Sequence, residues 1–149
     1  MRCKLSDICD YAIGKIDVVD LDNLNYISTE NMLPNKGGIT RATTLPTIKQ
    51  TQEYQEEDIL VSNIRPYFKK SWFATKSGGC SNDVLVFRAK AGIEPVFLYY
   101  ILSADTFFEY SMATSKGTKM PRGDKKAIMK YPIPDYDLKT QKKIAYLLR

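Results

Sequence analysis

The segment Ser115-Lys116-Gly117-Thr118-Lys119-Met120-Pro121-Arg122-Gly123-Asp124, continued by Lys125-Lys126-Ala127-Ile128-Met129-Lys130, holds the densest group of anion-binding side chains in the chain. Six cations, Lys116, Lys119, Arg122, Lys125, Lys126 and Lys130, face one acid, Asp124. Their excess equals the formal net charge of the whole protein, +5, so the remaining residues balance to zero. The positive charge is therefore concentrated in one segment rather than spread as a coat. Gly117, Pro121 and Gly123 oppose helix and permit tight turns. A cationic loop with free backbone N–H groups and the Thr118 hydroxyl suits the phosphates of a polyanion. The plain alternative is a solvated lysine-rich surface, the usual fate of a charge run; the Gly, Pro and Thr among the charges favour phosphate contact.

A second constellation is Asn63-Ile64-Arg65-Pro66-Tyr67 with Lys69 and Lys70. It offers Arg65 for guanine N7 and O6, Asn63 for adenine, Tyr67 for stacking and the lysines for phosphate. Its plain reading is a strand end with Tyr67 and Phe68 packed inward; both readings are expected in part, with Phe68 in the core. Trp72, Phe97, Tyr99, Tyr100, Phe107 and Phe108 follow helix and strand faces, which favours core packing over a stacking platform.

Catalytic chemistry has little to work with. The chain has no histidine, which removes Ser-His and Cys-His pairs, His-containing metal sites and imidazole acid–base catalysis. The three cysteines, Cys3, Cys9 and Cys80, lack C-x-x-C spacing, so neither a disulfide framework nor a zinc site is expected. There is no G-x-G-x-x-G, no P-loop and no Asn/Asp-Pro-Pro-aromatic tetrad of amino-methyltransferases. Pro134-Asp135-Tyr136-Asp137-Leu138-Lys139 superficially matches a metal-nuclease pattern, but Asp135 and Asp137 lack the separation that lets two strands present carboxylates to one metal.

At 149 residues the chain is expected to form one domain able to bury a core without staples. Its apolar runs, such as Val96–Leu102, are too short to span a bilayer, and Met1-Arg2 leads into no apolar signal, so a cytoplasmic setting without membrane contact is expected.

The elements that must position these groups are legible in part. Leu5, Ile8, Cys9 and Ala12 have helical spacing, which predicts a short helix from Leu5 to Tyr11 capped by Ser6 or Asp7. Tyr26–Ser28 reads as a strand and Pro34–Gly38 as a loop. Asp58–Ser62, Ser71–Ala74 and Val84–Arg88 read as three strands of a small antiparallel sheet, with a turn over Lys76–Ser81. Pro66 pushes Arg65 toward an extended backbone. Pro95 opens a helix through Leu102, and Asp105 or Thr106 caps a second through Met112. Asp124 caps a short helix over Lys125–Lys130, and Tyr131–Pro134 is extended. Leu138, Gln141, Ile144, Ala145 and Leu148 mark the apolar face of a final helix, which looks cut off at Arg149.

Five short motifs in order resemble a known family, the DNA specificity subunits of type I restriction-modification systems, and in particular one target recognition domain of such a subunit. Leu5-Ser6-Asp7-Ile8-Cys9 is similar to the family's opening. Asp58-Ile59-Leu60-Val61-Ser62-Asn63-Ile64-Arg65-Pro66-Tyr67 resembles its central strand and Arg-Pro turn, and Gly79-Cys80-Ser81-Asn82-Asp83 the turn that follows. Ser115–Arg122 resembles its Gly-Thr-x-x-Pro-Arg loop. Tyr131-Pro132-Ile133-Pro134 followed by Gln141–Ala145 resembles the entry into a long spacer helix.

The resemblance implies an α+β recognition domain over residues 1–134, with a small, mainly antiparallel twisted sheet flanked by short helices. Residues 135–149 would begin the spacer helix. It implies a non-catalytic reader of one half of a bipartite duplex DNA site. Methyltransferase and restriction subunits are the expected partners; they, not this chain, would carry S-adenosylmethionine and ATP with magnesium. One recognition domain with a short helix fits either an excised fragment or a half-subunit that pairs through Leu138, Gln141, Ile144, Ala145 and Leu148. The DNA-contacting set expected is Asn63, Arg65, Tyr67, Lys69, Lys70, Lys116, Thr118, Lys119, Arg122, Lys125 and Lys126. Alternatives are a recognition domain of a fused restriction-methyltransferase or other defence system, an RNA binder, and a small metal-dependent nuclease.

Overall fold

The computed structural model describes residues 2–117, 119–134 and 138–148. In chain order the strands are β1 (Arg2–Lys4), β2 (Cys9–Tyr11), β3 (Lys15–Asp17), β4 (Tyr26–Ile27), β5 (Gln50–Tyr54), β6 (Ile59–Ser62), β7 (Ser71–Phe73), β8 (Gly78–Cys80) and β9 (Val84–Ala89). Helices α1 (Pro95–Leu102), α2 (Asp105–Ala113) and α3 (Lys125–Met129) follow, then β10 (Pro132–Pro134) and α4 (Leu138–Leu148). The strands make one sheet in the order β2-β9-β6-β7, a second in the order β3-β5-β8-β4, and a β1-β10 ladder. All the pairings are antiparallel except β4 with β8. The architecture is α+β, as expected, with more sheet than the three-stranded unit predicted.

Strand β6 explains the layering. All four of its residues are buried, and they alternate between two cores. Ile59 and Val61 join Leu85 and Phe87 of β9 against Phe97, Leu98, Ile101 and Leu102 of α1 and Phe107 and Phe108 of α2. Leu60 joins Val84, Val86 and Trp72 against Tyr54, Ile27 and Cys80 of the second sheet. The first sheet is thus covered by helices on one face and by a sheet on the other. Trp72 and the three phenylalanines are core residues; Tyr100 is exposed.

Three expectations are corrected. The helix over Leu5–Tyr11 is instead a 3₁₀ turn at Leu5–Asp7 followed by β2, because Cys9–Tyr11 pair with Phe87–Ala89 and that ladder outweighs a weak local helical spacing. The turn over Lys76–Ser81 contains β8, an interior strand of the second sheet. Its glycines serve close approach rather than turning: a Cβ on Gly78 would collide with the Asn25 carbonyl oxygen, and one on Gly79 would lie 2.9 Å from both Ile16 Cγ2 and Leu21 Cδ1. Finally, Asp105 is the first residue of α2 and not its side-chain cap, which leaves its carboxylate for other partners.

Helix α4 packs on α1, with Ile144 against the first core and Gln141 buried at 7 % exposure. The face expected to meet a partner is therefore turned inward at those two positions, and among the described side chains of this helix the exposed apolar ones are Tyr146 and Leu147.

Candidate nucleic-acid interface

At its end, β6 runs into a turn held by Pro66, which is buried at the first position of a 3₁₀ turn over Pro66–Phe68. Arg65 before it and Lys69 after it both adopt the left-handed conformation, with φ of 48° and 53°. Arg65 was expected to be extended; the left-handed form keeps it out of the right-handed helical region that Pro66 disfavours. Its N–H donates to the Pro121 carbonyl at 2.8 Å while its own carbonyl accepts from Phe68 N–H at 3.0 Å. Left-handed backbone costs a non-glycine residue on the order of 1–2 kcal/mol, so tertiary bonds must hold it.

Those bonds come from the basic loop. Lys116 and Arg122 exchange two backbone hydrogen bonds of 2.9 Å each, closing the loop with Gly117 at φ 94°. The closed loop lies along the Arg-Pro turn as an added strand: Arg122 bridges Ile64, and Gly123 N–H donates to the Asn63 carbonyl at 3.2 Å. In return Asn63 Nδ2 donates to the Gly123 carbonyl at 3.1 Å. Gly123 is needed for this approach, since a Cβ there would sit 2.5 Å from Asn63 Oδ1. The Arg-Pro turn and the basic loop, separate motifs in the sequence, are one structural unit.

Carboxylates brace the unit. Arg122 pairs with Asp83, whose carbonyl accepts from Asn63 N–H at 2.8 Å. Asp124 caps α3 by accepting from Lys126 and Ala127 N–H at 3.0 and 3.2 Å, and Lys116 Nζ lies 3.3 Å from its other oxygen. The Ala127 amide and then Lys116 hold the Asp124 carboxyl below its ordinary value. Lys36 and Lys69 converge on Asp105 at 2.9 and 3.1 Å and lower its carboxyl in the same way. Asn35 and Lys36, themselves left-handed, donate backbone N–H groups to the carbonyls of Phe68 and Lys69 at 2.8 and 2.7 Å. The loop at 34–38, the Arg-Pro turn and the basic loop are thus joined by backbone hydrogen bonds into one edge richer in cations than in carboxylates.

The side chains expected to contact a ligand divide by their present partners. Asn63 is half-buried, and one N–H of its amide donates to the Gly123 carbonyl, so it acts as a joint beneath the loop. Lys70 Nζ donates to the Thr29 carbonyl at 2.7 Å, and Lys125 Nζ lies 4.7 Å over the Tyr11 ring. Lys119 and Lys126 are exposed, and Lys116 is largely so despite its ion pair. Tyr67 is exposed, and so is Phe68, which the sequence reading placed in the core. Thr118 and Asp135–Asp137 lie outside the described residues, as do the side chains of Leu138, Ala145 and Leu148.

Sequence reasoning missed Lys36, Asp83 and Asp105. It also missed a polar cleft of about 290 Å³ beside Asp83, lined by Thr29, Arg41, Thr43 and Thr44 among others. The one available signal was Thr40-Arg41-Ala42-Thr43-Thr44, a run of hydrogen-bonding side chains next to a glycine loop. None of the described helices is long and apolar enough to cross a membrane.

The family model for the type I restriction modification DNA specificity domain matches residues 1–149, and the chain belongs to that family. It is 28 % identical over 129 residues to the type I restriction enzyme EcoDI specificity subunit of Escherichia coli, covering 81 % of this chain and 29 % of that protein. The HsdS subunit from Thermoanaerobacter tengcongensis shares the fold with a TM-score of 0.76 at 20 % identity, over 99 % of this chain and 40 % of that one. The type I restriction-modification S subunit from M. genitalium does so with a TM-score of 0.63 at 17 % identity, over 99 % and 37 %. The chain therefore spans well under half the length of these relatives.

Proposed function

We propose that this chain is the target recognition part of a type I restriction-modification specificity subunit and reads one half of a bipartite sequence in duplex DNA. The observation that carries the reading is the docking of the basic loop onto the Arg-Pro turn through Arg65 N–H, Asn63 and Gly123, which joins the segment carrying Lys116, Lys119 and Arg122 to the turn carrying Arg65 and Lys69. Phosphate contacts from such an edge fix register and affinity, while neighbouring base contacts set sequence. Arg65, exposed Tyr67 and the cleft beside Asp83 are the groups nearest the edge with base-reading chemistry.

On this reading the chain itself does no covalent chemistry and works in the cytoplasm. Methyltransferase and restriction subunits supply S-adenosylmethionine, ATP and magnesium. Residues 1–134 form the reader and 135–149 open a spacer helix, through which two copies pair to join two half-sites. Selection of bound molecules from a pool of random duplexes tests the reading: enrichment of one short asymmetric motif is expected, and a pool that stays random after several rounds would reject it. Retention of RNA hairpins in preference to duplex DNA would reject it equally.

A further inference from the structure

We propose that Tyr67 and Phe68 form an aromatic wedge that enters a base step of the bound duplex and unstacks it, an inference that rests on the DNA-reading function proposed above. The two rings stand 4.8 Å apart and are inclined at 52°, with exposures of 46 % and 40 %. Every other phenylalanine of α1, α2 and β9 is packed into the core, so an exposed adjacent pair calls for a local cause.

The turn that carries the pair is built to hold it outward. Pro66 is buried beneath it, and left-handed residues at 65 and 69 reverse the chain on either side. The carbonyls of Phe68 and Lys69 are fixed by the amides of Asn35 and Lys36. Those bonds fix the backbone that carries the two rings, at the cost of left-handed conformations on either side of it. The surroundings carry an excess of positive charge: Lys36 and Lys69 share the single carboxylate of Asp105 beside the turn, and Lys70 Nζ lies 5.7 Å from the centroid of the Phe68 ring. A hydrophobic protein partner would have to desolvate these cations, whereas a duplex meets them with phosphates while its stacked bases accept the rings. Wedging also opens the groove next to Arg65, which lies one residue from the buried proline.

The test uses the 149-residue chain and a duplex enriched from the random pool, carrying 2-aminopurine at successive adenines and probed with permanganate at thymines. Binding of wild type is expected to raise fluorescence or thymine reactivity at one step only. Tyr67→Ala with Phe68→Ala should abolish that signal and weaken binding about 5- to 100-fold, with the salt slope unchanged because no phosphate contact is lost. Phe68→Trp should retain the signal. A wild-type complex with every base still stacked overturns the wedge even if the double variant fails to fold, and so does a folded double variant that binds as tightly as wild type. Failure of the wild type to bind any duplex overturns the underlying reading as well.

Discussion

Lys119 is exposed and has no ion pair among the described residues, so its charge is free for a ligand. Lys119→Ala should weaken binding to all duplexes alike and lower the slope of log K against log salt by about 0.9; equal slopes for variant and wild type would remove it from the interface. Asp105 acts in the opposite sense, because its carboxylate occupies both Lys36 and Lys69. Asp105→Asn should tighten non-specific duplex binding and steepen the salt slope, measured by fluorescence anisotropy at several salt concentrations. Its carboxyl is lowered from 3.8 by those lysines, so its stabilising contribution is complete above that value and is lost as pH falls through the still lower folded value. The variant should therefore melt with a weaker dependence on pH in strong acid. Burial pushes the thiols of Cys9 and Cys80 up to about 12. Neither should be alkylated by iodoacetamide at pH 8 until the chain unfolds, which mass spectrometry of the peptides would read.

At the scale of elements, the interior strand β8 depends on two glycines whose missing side chains admit Asn25, Thr51 and Ile16. Gly78→Ala should cost about 1–3 kcal/mol, as overpacking does, read from the denaturant midpoint; an unchanged midpoint would mean that β4 moves freely. The basic loop and the Arg-Pro turn are coupled in the same manner through Gly123, and the loop's cations keep their place only while that glycine allows the approach. Strain at Arg65 and Lys69 is held by bonds from loops distant in sequence. A truncated turn peptide would not adopt this form.

Across the whole molecule, the first sheet is a slab between two cores, and its β6-to-β7 connection is the Arg-Pro turn itself. Tyr146 and Leu147, 82 % and 71 % exposed, are the apolar groups that the described side chains of α4 leave uncovered. If pairing uses this helix, Tyr146→Asp with Leu147→Asp should shift sedimentation toward monomer and leave the melting temperature nearly unchanged; a wild-type monomer at all concentrations would end that proposal.

The sequence by itself carried what local chemistry determines. The apolar β-branched runs at 58–62 and 84–88, Pro95 at the start of α1 and Asp124 at the start of α3 were each legible because each acts on its own neighbours. The charge concentration at 116–130 and the family motifs were legible for the same reason, as they are properties of residue type and order. Tertiary structure alone decided what depends on a partner far along the chain. Cys9–Tyr11 became a strand because Phe87–Ala89 lay beside it, Gly78–Cys80 became a strand because its glycines faced neighbours, and Phe68 lies outside the core on a turn bounded by left-handed Arg65 and Lys69. The same holds for the candidate site. Its cations could be named from composition, but their pairing with Asp83, Asp105 and Asp124, and with it the distinction between a free charge and a structural brace, exists only where the folded chain brings those carboxylates within 4 Å.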